Sequence, residues 1–369
     1  MKNLDLVLIA NSPGELSALV IPVVEEISKE RSLRVILVLT PCQYLSGKEL
    51  EFAERVPGIS EIISADEYKK WLFLNQKPKR VKFAEKGAVL FLGGDLAHAM
   101  LIARKLKFPA YAYIQEHLAW KGFYKKFFVP DLDTYQKFSK RAPKSKLKIV
   151  GNLMVDSVSK LKKWAPEENV ITFMPGSRCW EIDYMTPFYK KVIEIIKNEM
   201  PDAKFQIVSS PFVRAHPIEG AKMVEFDQIQ NSEIVVTIPG TNTAKVGARG
   251  IPMVVVFPLN HPEVIPLEGL ADLIGKIPVM GKAFKKALAH IVNQKTRFFA
   301  LPNQKAEREI VPEIRGMIDP LSVALKVLLL LNDKEKRKTM SIELINAMGK
   351  PGAAGKIVEE INAALRASD

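Results

Sequence analysis

Cysteine is nearly absent from this chain: Cys42 and Cys179 are its only two, far apart and without metal-ligand spacing. That excludes a disulfide-stapled scaffold, fits a reducing cytoplasm, and leaves both thiols expected free. Long apolar runs are missing too. None approaches the roughly 20 residues that a spanning helix needs, so any membrane contact is expected to be peripheral. No cleavable leader is expected, because residues 1–10 carry Asp5 inside a very short apolar run without a small-residue cleavage pattern and read as a first β-strand. Zinc-finger spacing, an RNA-recognition signature, basic repeats and low-complexity tracts are all lacking. The net charge of +13 therefore points away from nucleic acid and towards anionic lipid or a phosphorylated substrate.

What the chain does have is length and a globular composition: 369 residues, 47% hydrophobic and 26% charged, enough for two ordinary domains. Short Val- and Ile-rich runs alternate with longer helical patterns. Strands are expected at residues 4–10, 34–40, 88–94, 110–115 and 146–151, then, after the polar stretch 162–169, at 170–174, 204–210, 222–226, 233–238 and 252–258. This α/β rhythm predicts two parallel-sheet domains joined near residues 155–168. Residues 319–365 read as helices broken near 332–333 and 349–355.

In open parallel sheets ligands bind beyond the carboxyl ends of strands, so four strand-to-helix junctions stand out. Ser12-Pro13-Gly14-Glu15 has the pattern of a capping box, and its glycine turn also brings backbone N–H groups near a ligand. Gly93-Gly94-Asp95-Leu96-Ala97-His98 places Asp95 and His98 one helical turn apart. There His98, oriented by Asp95, is a candidate base for a sugar hydroxyl; equally, Asp95 reads as an N-cap and His98 as partly buried packing. Met174-Pro175-Gly176-Ser177-Arg178 opens the second domain, with Ser177 as a cap, amides expected free for an anion, and a cation suited to bidentate phosphate contact. Pro239-Gly240-Thr241-Asn242-Thr243 is a second turn of the same kind.

These residues resemble the lipid-A-disaccharide synthase family, which joins two acylated glucosamines from a UDP-linked donor and a sugar-1-phosphate acceptor. The family's LPGSR-x-x-E turn is similar to 174–181 and its G-H-P/T-x-x-D element to 151–156. Its SGTA turn followed by PMVV is similar to 239–243 and 252–255, and its SLPN segment to 300–303. The resemblance implies a GT-B fold, with two facing Rossmann-like domains, an acceptor domain over 1–158, a nucleotide-sugar domain over 159–345, and residues 346–369 returning to the first. It implies donor contacts from Gly176, Ser177, Arg178, Gly240, Thr241, Thr243 and Asn303, acceptor-side positions at Ser12, Gly14 and Gly94, catalytic roles for His98, Asp95 and Glu15, and neither metal nor cofactor. Three positions depart from the family pattern. Glu15 stands for its first-motif Asp, His98 for the second acid of a D-x-x-D pair, and Lys245 for the carboxylate that holds ribose.

The function expected is transfer of an acylated glucosamine from a UDP-sugar to a lipid-linked or phosphorylated sugar, at the cytoplasmic face of the inner membrane. Arg178 and the turn amides would stabilise the departing UDP. Two segments mix aromatic or aliphatic residues with cations as interfacial helices do: 68–82, from Tyr68 and Trp71 to Lys77, Lys79, Arg80 and Lys82, and 270–291. Each also reads as an amphipathic helix covering its own core. Alternative functions are a UDP-N-acetylglucosamine 2-epimerase, a peptidoglycan-type lipid glycosyltransferase, and a non-catalytic nucleotide-sugar or lipid binder.

Overall fold

The computed structural model describes residues 4–30, 33–41, 47–78, 80–260 and 293–367. Cys42, Lys79 and the 270–291 segment lie outside them. The chain divides into two compact units, Met1–Lys160 together with Gly349–Asp369, and Leu161–Met348.

The first unit holds seven parallel strands: β1 (Leu4–Ala10), β2 (Arg34–Leu39), β3 (Ile59–Ile63), β4 (Lys86–Phe91), β5 (Ala110–Tyr113), β6 (Tyr124–Val129) and β7 (Leu147–Ile149). β1 is central, with Val7 opposite Ile36 on one side and Val89 on the other. Being covered on both faces, it is a continuous apolar run rather than an alternating one. Its one charge, Asp5, is fully buried and satisfied by Arg34 at 2.8 and 2.9 Å and by the Ala84 amide at 2.7 Å.

The helix Ala353–Arg366 packs on Ile21–Glu30 of this unit, burying Ile357, Val358, Ile361 and Leu365. Asp156 accepts from the amides of Gly352 and Ala354, both at 2.7 Å, and so caps that helix. Glu360 lies between Lys126 of β6 and Lys148 of β7, and those two ammonium groups hold its carboxyl below the ordinary range.

The second unit holds six parallel strands: β8 (Val170–Met174), β9 (Lys204–Val208), β10 (Ala221–Val224), β11 (Ile234–Thr237), β12 (Met253–Pro258) and β13 (Glu313–Gly316). The 21-residue helix Cys179–Glu199 follows β8 and packs against Pro320–Leu331. Arg337, in helix Lys334–Met348, pairs with buried Glu233 and also donates to the Leu330 and Leu331 carbonyls that end the preceding helix.

Strands β3, β6 and β13 were not expected from the sequence pattern. Each carries charge: Glu61 in β3, Lys125 and Lys126 in β6, Glu313 and Arg315 in β13. β3 and β13 are also sheet edges, where burial is incomplete. Helix Ala65–Leu74 divides its aromatics between core and surface. Tyr68 and Trp71 are each 1% exposed and belong to the core, while Phe73 and Leu74 point outward. Among the described residues no helix is long and apolar enough to cross a membrane.

Candidate functional site

The strand orders locate the site. They run β3-β2-β1-β4-β5-β6-β7 in the first unit and β10-β9-β8-β11-β12-β13 in the second. In each, successive strands step outward one way and then start again beside the first strand, so the order reverses between β1 and β4 and between β8 and β11. Such a reversal leaves two neighbouring strands whose following turns diverge, opening a crevice beyond their carboxyl ends. The four junctions picked from sequence are the turns that follow β1, β4, β8 and β11.

At the first reversal Ser12 caps the short helix Pro13–Glu15 and the capping box is complete, with Glu15 Oε2 accepting from the Ser12 amide at 3.1 Å. The same oxygen accepts from the Asn11 amide at 2.9 Å, while Oε1 reaches across to the Gly94 amide at 3.0 Å. Burial pushes this carboxyl above its ordinary range against the pull of the three amides. Glu15 is thus a tie between two strand ends, both of its oxygens accepting from backbone amides. The paired glycines make room for it. A Cβ on Gly93 would lie 1.9 Å from the Glu15 carboxyl carbon, and Gly94 has φ +88° against the Asn11 amide. Gly14 is half-buried and Gly94 exposed, so of the acceptor-side positions Gly94 opens to solvent.

Asp95 caps helix Leu96–Leu106 by accepting from the Ala97 amide at 2.8 Å. Among the described residues it makes no hydrogen bond to the His98 ring. The partner of His98 is Tyr68, whose hydroxyl lies 2.6 Å from Nδ1 with the rings edge to face. Burial lowers the His98 pKa, with the Asp95 charge pulling the other way, and burial pushes Tyr68 up to about 12. Tyr68 is the neighbour of His98 that the sequence pattern did not link to it. Its spacing from Trp71 and Leu72 was the available signal of a core-facing stripe.

At the second reversal the turn after β8 has Arg178, not Ser177, as N-cap, and the amides expected to be free are occupied. Glu181 Oε2 accepts from the Ser177 amide at 2.8 Å and from the Arg178 amide at 3.2 Å, and Oε1 accepts from Arg178 Nη1 at 3.0 Å. An internal carboxylate therefore fills the anion-ready turn. Gly176, with φ +124°, is required because a Cβ there would stand 2.3 Å from Glu181 Oε2.

The turn after β11 is open instead. Gly240 is exposed at φ +119° with nothing within 4 Å of a Cβ, and Thr241 starts the helix Thr241–Ala248 half-buried. Thr243 and Asn303, expected at the donor, are both engaged internally. The Thr243 hydroxyl is buried, donating to the Gly240 carbonyl at 2.8 Å and accepting from the Leu301 amide at 3.2 Å. Asn303 is fully buried, its amide nitrogen donating to Val311 and Glu313 and its oxygen accepting from Ile310 and Val311, so no capacity is left for a ligand. One turn beyond Thr241, the Lys245 ammonium lies 4.4 Å from the centroid of the Phe226 ring, its pKa lowered to about 8 by burial and then by Arg249.

No family model matches the chain. It is similar to a lipid-A-disaccharide synthase of Anaeromyxobacter dehalogenans, 27% identical over 212 residues, covering 53% of this chain and 49% of the relative. The chain spans about half the length of the curated relatives it matches. Among solved structures it is similar to the UDP-GlcNAc 2-epimerase of Neisseria meningitidis bound to UDP-GlcNAc, with a TM-score of 0.58 at 14% identity over 98% of this chain and 100% of that one. It is also similar to CalG4, the calicheamicin glycosyltransferase, with a TM-score of 0.52 at 14% identity over 98% of both chains. The fold is accordingly α/β of the GT-B type: two Rossmann-like parallel-sheet units, with the last helix returning to the first.

Proposed function

We propose that the protein is a nucleotide-sugar-dependent hexosyltransferase of the lipid-A-disaccharide synthase kind, taking a UDP-linked, acylated glucosamine to a lipid-linked or phosphorylated sugar. The observation that carries this is the β8/β11 reversal. There the open Gly240-Thr241 helix start stands beside the strand end that carries Arg178, whose Nη1 is paired with Glu181, and a helix N-terminus next to a cation is the kind of site that a nucleotide diphosphate takes. The sequence likeness to lipid-A-disaccharide synthases supports the same reading. In transfer, the acceptor oxygen bonds to the anomeric carbon and gives up its proton. The bond from that carbon to the diphosphate oxygen breaks, and UDP leaves with the electron pair. Asp95 and His98 are the groups offered to the acceptor in the first unit; Arg178 and the Gly240-Thr241 amides are those offered to the leaving diphosphate.

A lipid surface, the cytoplasmic leaflet in this reading, suits the exposed pair Phe73 and Leu74, set among exposed Lys69, Lys70, Lys77, Arg80 and Lys82. A second reading, 2-epimerisation of the UDP-sugar, is favoured by the fold likeness to an epimerase along nearly the whole chain.

One experiment separates the two. UDP-sugars are screened for thermal stabilisation of the purified protein, where a ligand at about 100 times its dissociation constant adds roughly 2.7 kcal/mol. The stabilising sugar is then incubated with and without sugar-phosphate or lipid-linked acceptors. UDP release that needs an acceptor is the expected result. Interconversion of the UDP-sugar without acceptor would favour the epimerase, and no stabilisation by any UDP-sugar would defeat both.

A further inference from the structure

We propose that Tyr68 holds His98 in the neutral tautomer with its proton on Nε2, so that the imidazole meets the ligand as a hydrogen-bond donor rather than as a base. The proposal rests on the reading that the β1/β4 junction receives the acceptor.

The donors of the Tyr68–His98 pair decide between the tautomers. Tyr68 is 1% exposed, and its hydroxyl has one partner among the described residues, His98 Nδ1 at 2.6 Å. Two arrangements fit that distance. If the ring donated Nδ1–H to the phenol oxygen, the phenol's own proton would be left in the core without an acceptor among the described residues, at the full cost of desolvating an O–H. If the phenol donates, the buried O–H is used, and the ring's own proton stands on Nε2 of the half-buried His98 rather than in the core. The second arrangement makes Nδ1 the acceptor and places the ring proton on Nε2. Protonating the ring would then force the phenol to turn away from Nδ1.

Nε2 makes no hydrogen bond with a described residue, and it lies on the half-buried side chain one turn beyond Asp95. An N–H there suits an oxygen that is anionic or becomes so, such as a phosphate or alkoxide oxygen of the acceptor. The proton of the acceptor hydroxyl then passes to Asp95, an exposed carboxylate whose Oδ1 already takes the Ala97 amide and whose Oδ2 makes no hydrogen bond with a described residue. Tyr68 is in this scheme a positioning residue.

The test uses the whole chain labelled with ¹⁵N in its histidine rings, read at neutral pH by the couplings that distinguish ring tautomers. The resonance lost in His98→Gln identifies the ring. It is expected in the single Nε2–H form, and Tyr68→Phe is expected to mix the tautomers. An Nδ1–H ring in the unaltered protein overturns the proposal. This arm needs no substrate, so it stands apart from the success of the transferase reading. The second arm is turnover. His98→Gln keeps a donor but takes up no proton, and is expected within about tenfold of the parent, whereas His98→Ala loses roughly 100-fold, the usual effect of removing one oxyanion donor. UDP affinity should move little in either. A folded His98→Gln as inactive as His98→Ala would overturn the donor role.

Discussion

Lys245 extends from the helix that starts at the open turn, with its ammonium against Phe226 and Arg249 one turn further on. Its pKa of about 8 against an ordinary 10.5 fixes the sign of two pH effects. Above pH 8 the folded protein loses this charge while the unfolded chain keeps it to 10.5, so folding stability contributed here rises between those values and is lost again as pH falls through 8. An anionic ligand that touches the ammonium shows the opposite trend. UDP affinity, measured by calorimetry, should hold steady below pH 8 and weaken above it, and Lys245→Met should remove the pH dependence. Affinity that stays flat in the parent would mean that Lys245 does not meet the ligand. At this scale the sequence was an uneven guide. Asn303 and Thr243 have the polarity of ligand groups, but whether such a side chain faces a ligand or a neighbouring backbone depends on loops closing over it. The four bonds of Asn303 go to residues seven to ten positions away.

The two glycine turns of the second unit give the next prediction. Gly176 and Gly240 share a positive φ, but a Cβ at Gly176 meets Glu181 at 2.3 Å, whereas one at Gly240 meets nothing within 4 Å. Backbone strain of this kind costs on the order of 1–3 kcal/mol, so Gly240→Ala should lower the unfolding midpoint by that alone. Gly176→Ala should lower it further, because the carboxylate must move and its bonds to the Ser177 and Arg178 amides go with it. Denaturant titration checks the ranking, and equal losses would count against the packed turn. The strands were legible in proportion to their burial. β1, β8 and β12 are almost wholly apolar and were read directly, but β6 begins Tyr-Lys-Lys and was not. Its Lys126 tolerates the sheet because Glu360 meets it from 234 residues away, a compensation that no local window contains.

At the scale of the molecule, the first unit is made of two separated pieces of chain. Ending the protein at Met348 would remove the partner of Lys126 and Lys148, leave Asp156 without the amides it caps, and uncover the face that Ile357, Val358, Ile361 and Leu365 bury. Such a truncation is expected to melt in two steps, the first unit well below its usual temperature and the second near it, as calorimetry would show. Unchanged melting of the first unit would contradict the packing. The discontinuity also bears on synthesis. Domains usually fold in the order in which they leave the ribosome, the N-terminal one first. Here residues 1–160 emerge before the helix that covers them, which is translated only after all of 161–348. Of the two units, the one whose synthesis starts earlier is therefore completed later, and while it waits, its uncovered apolar face is a surface for chaperones.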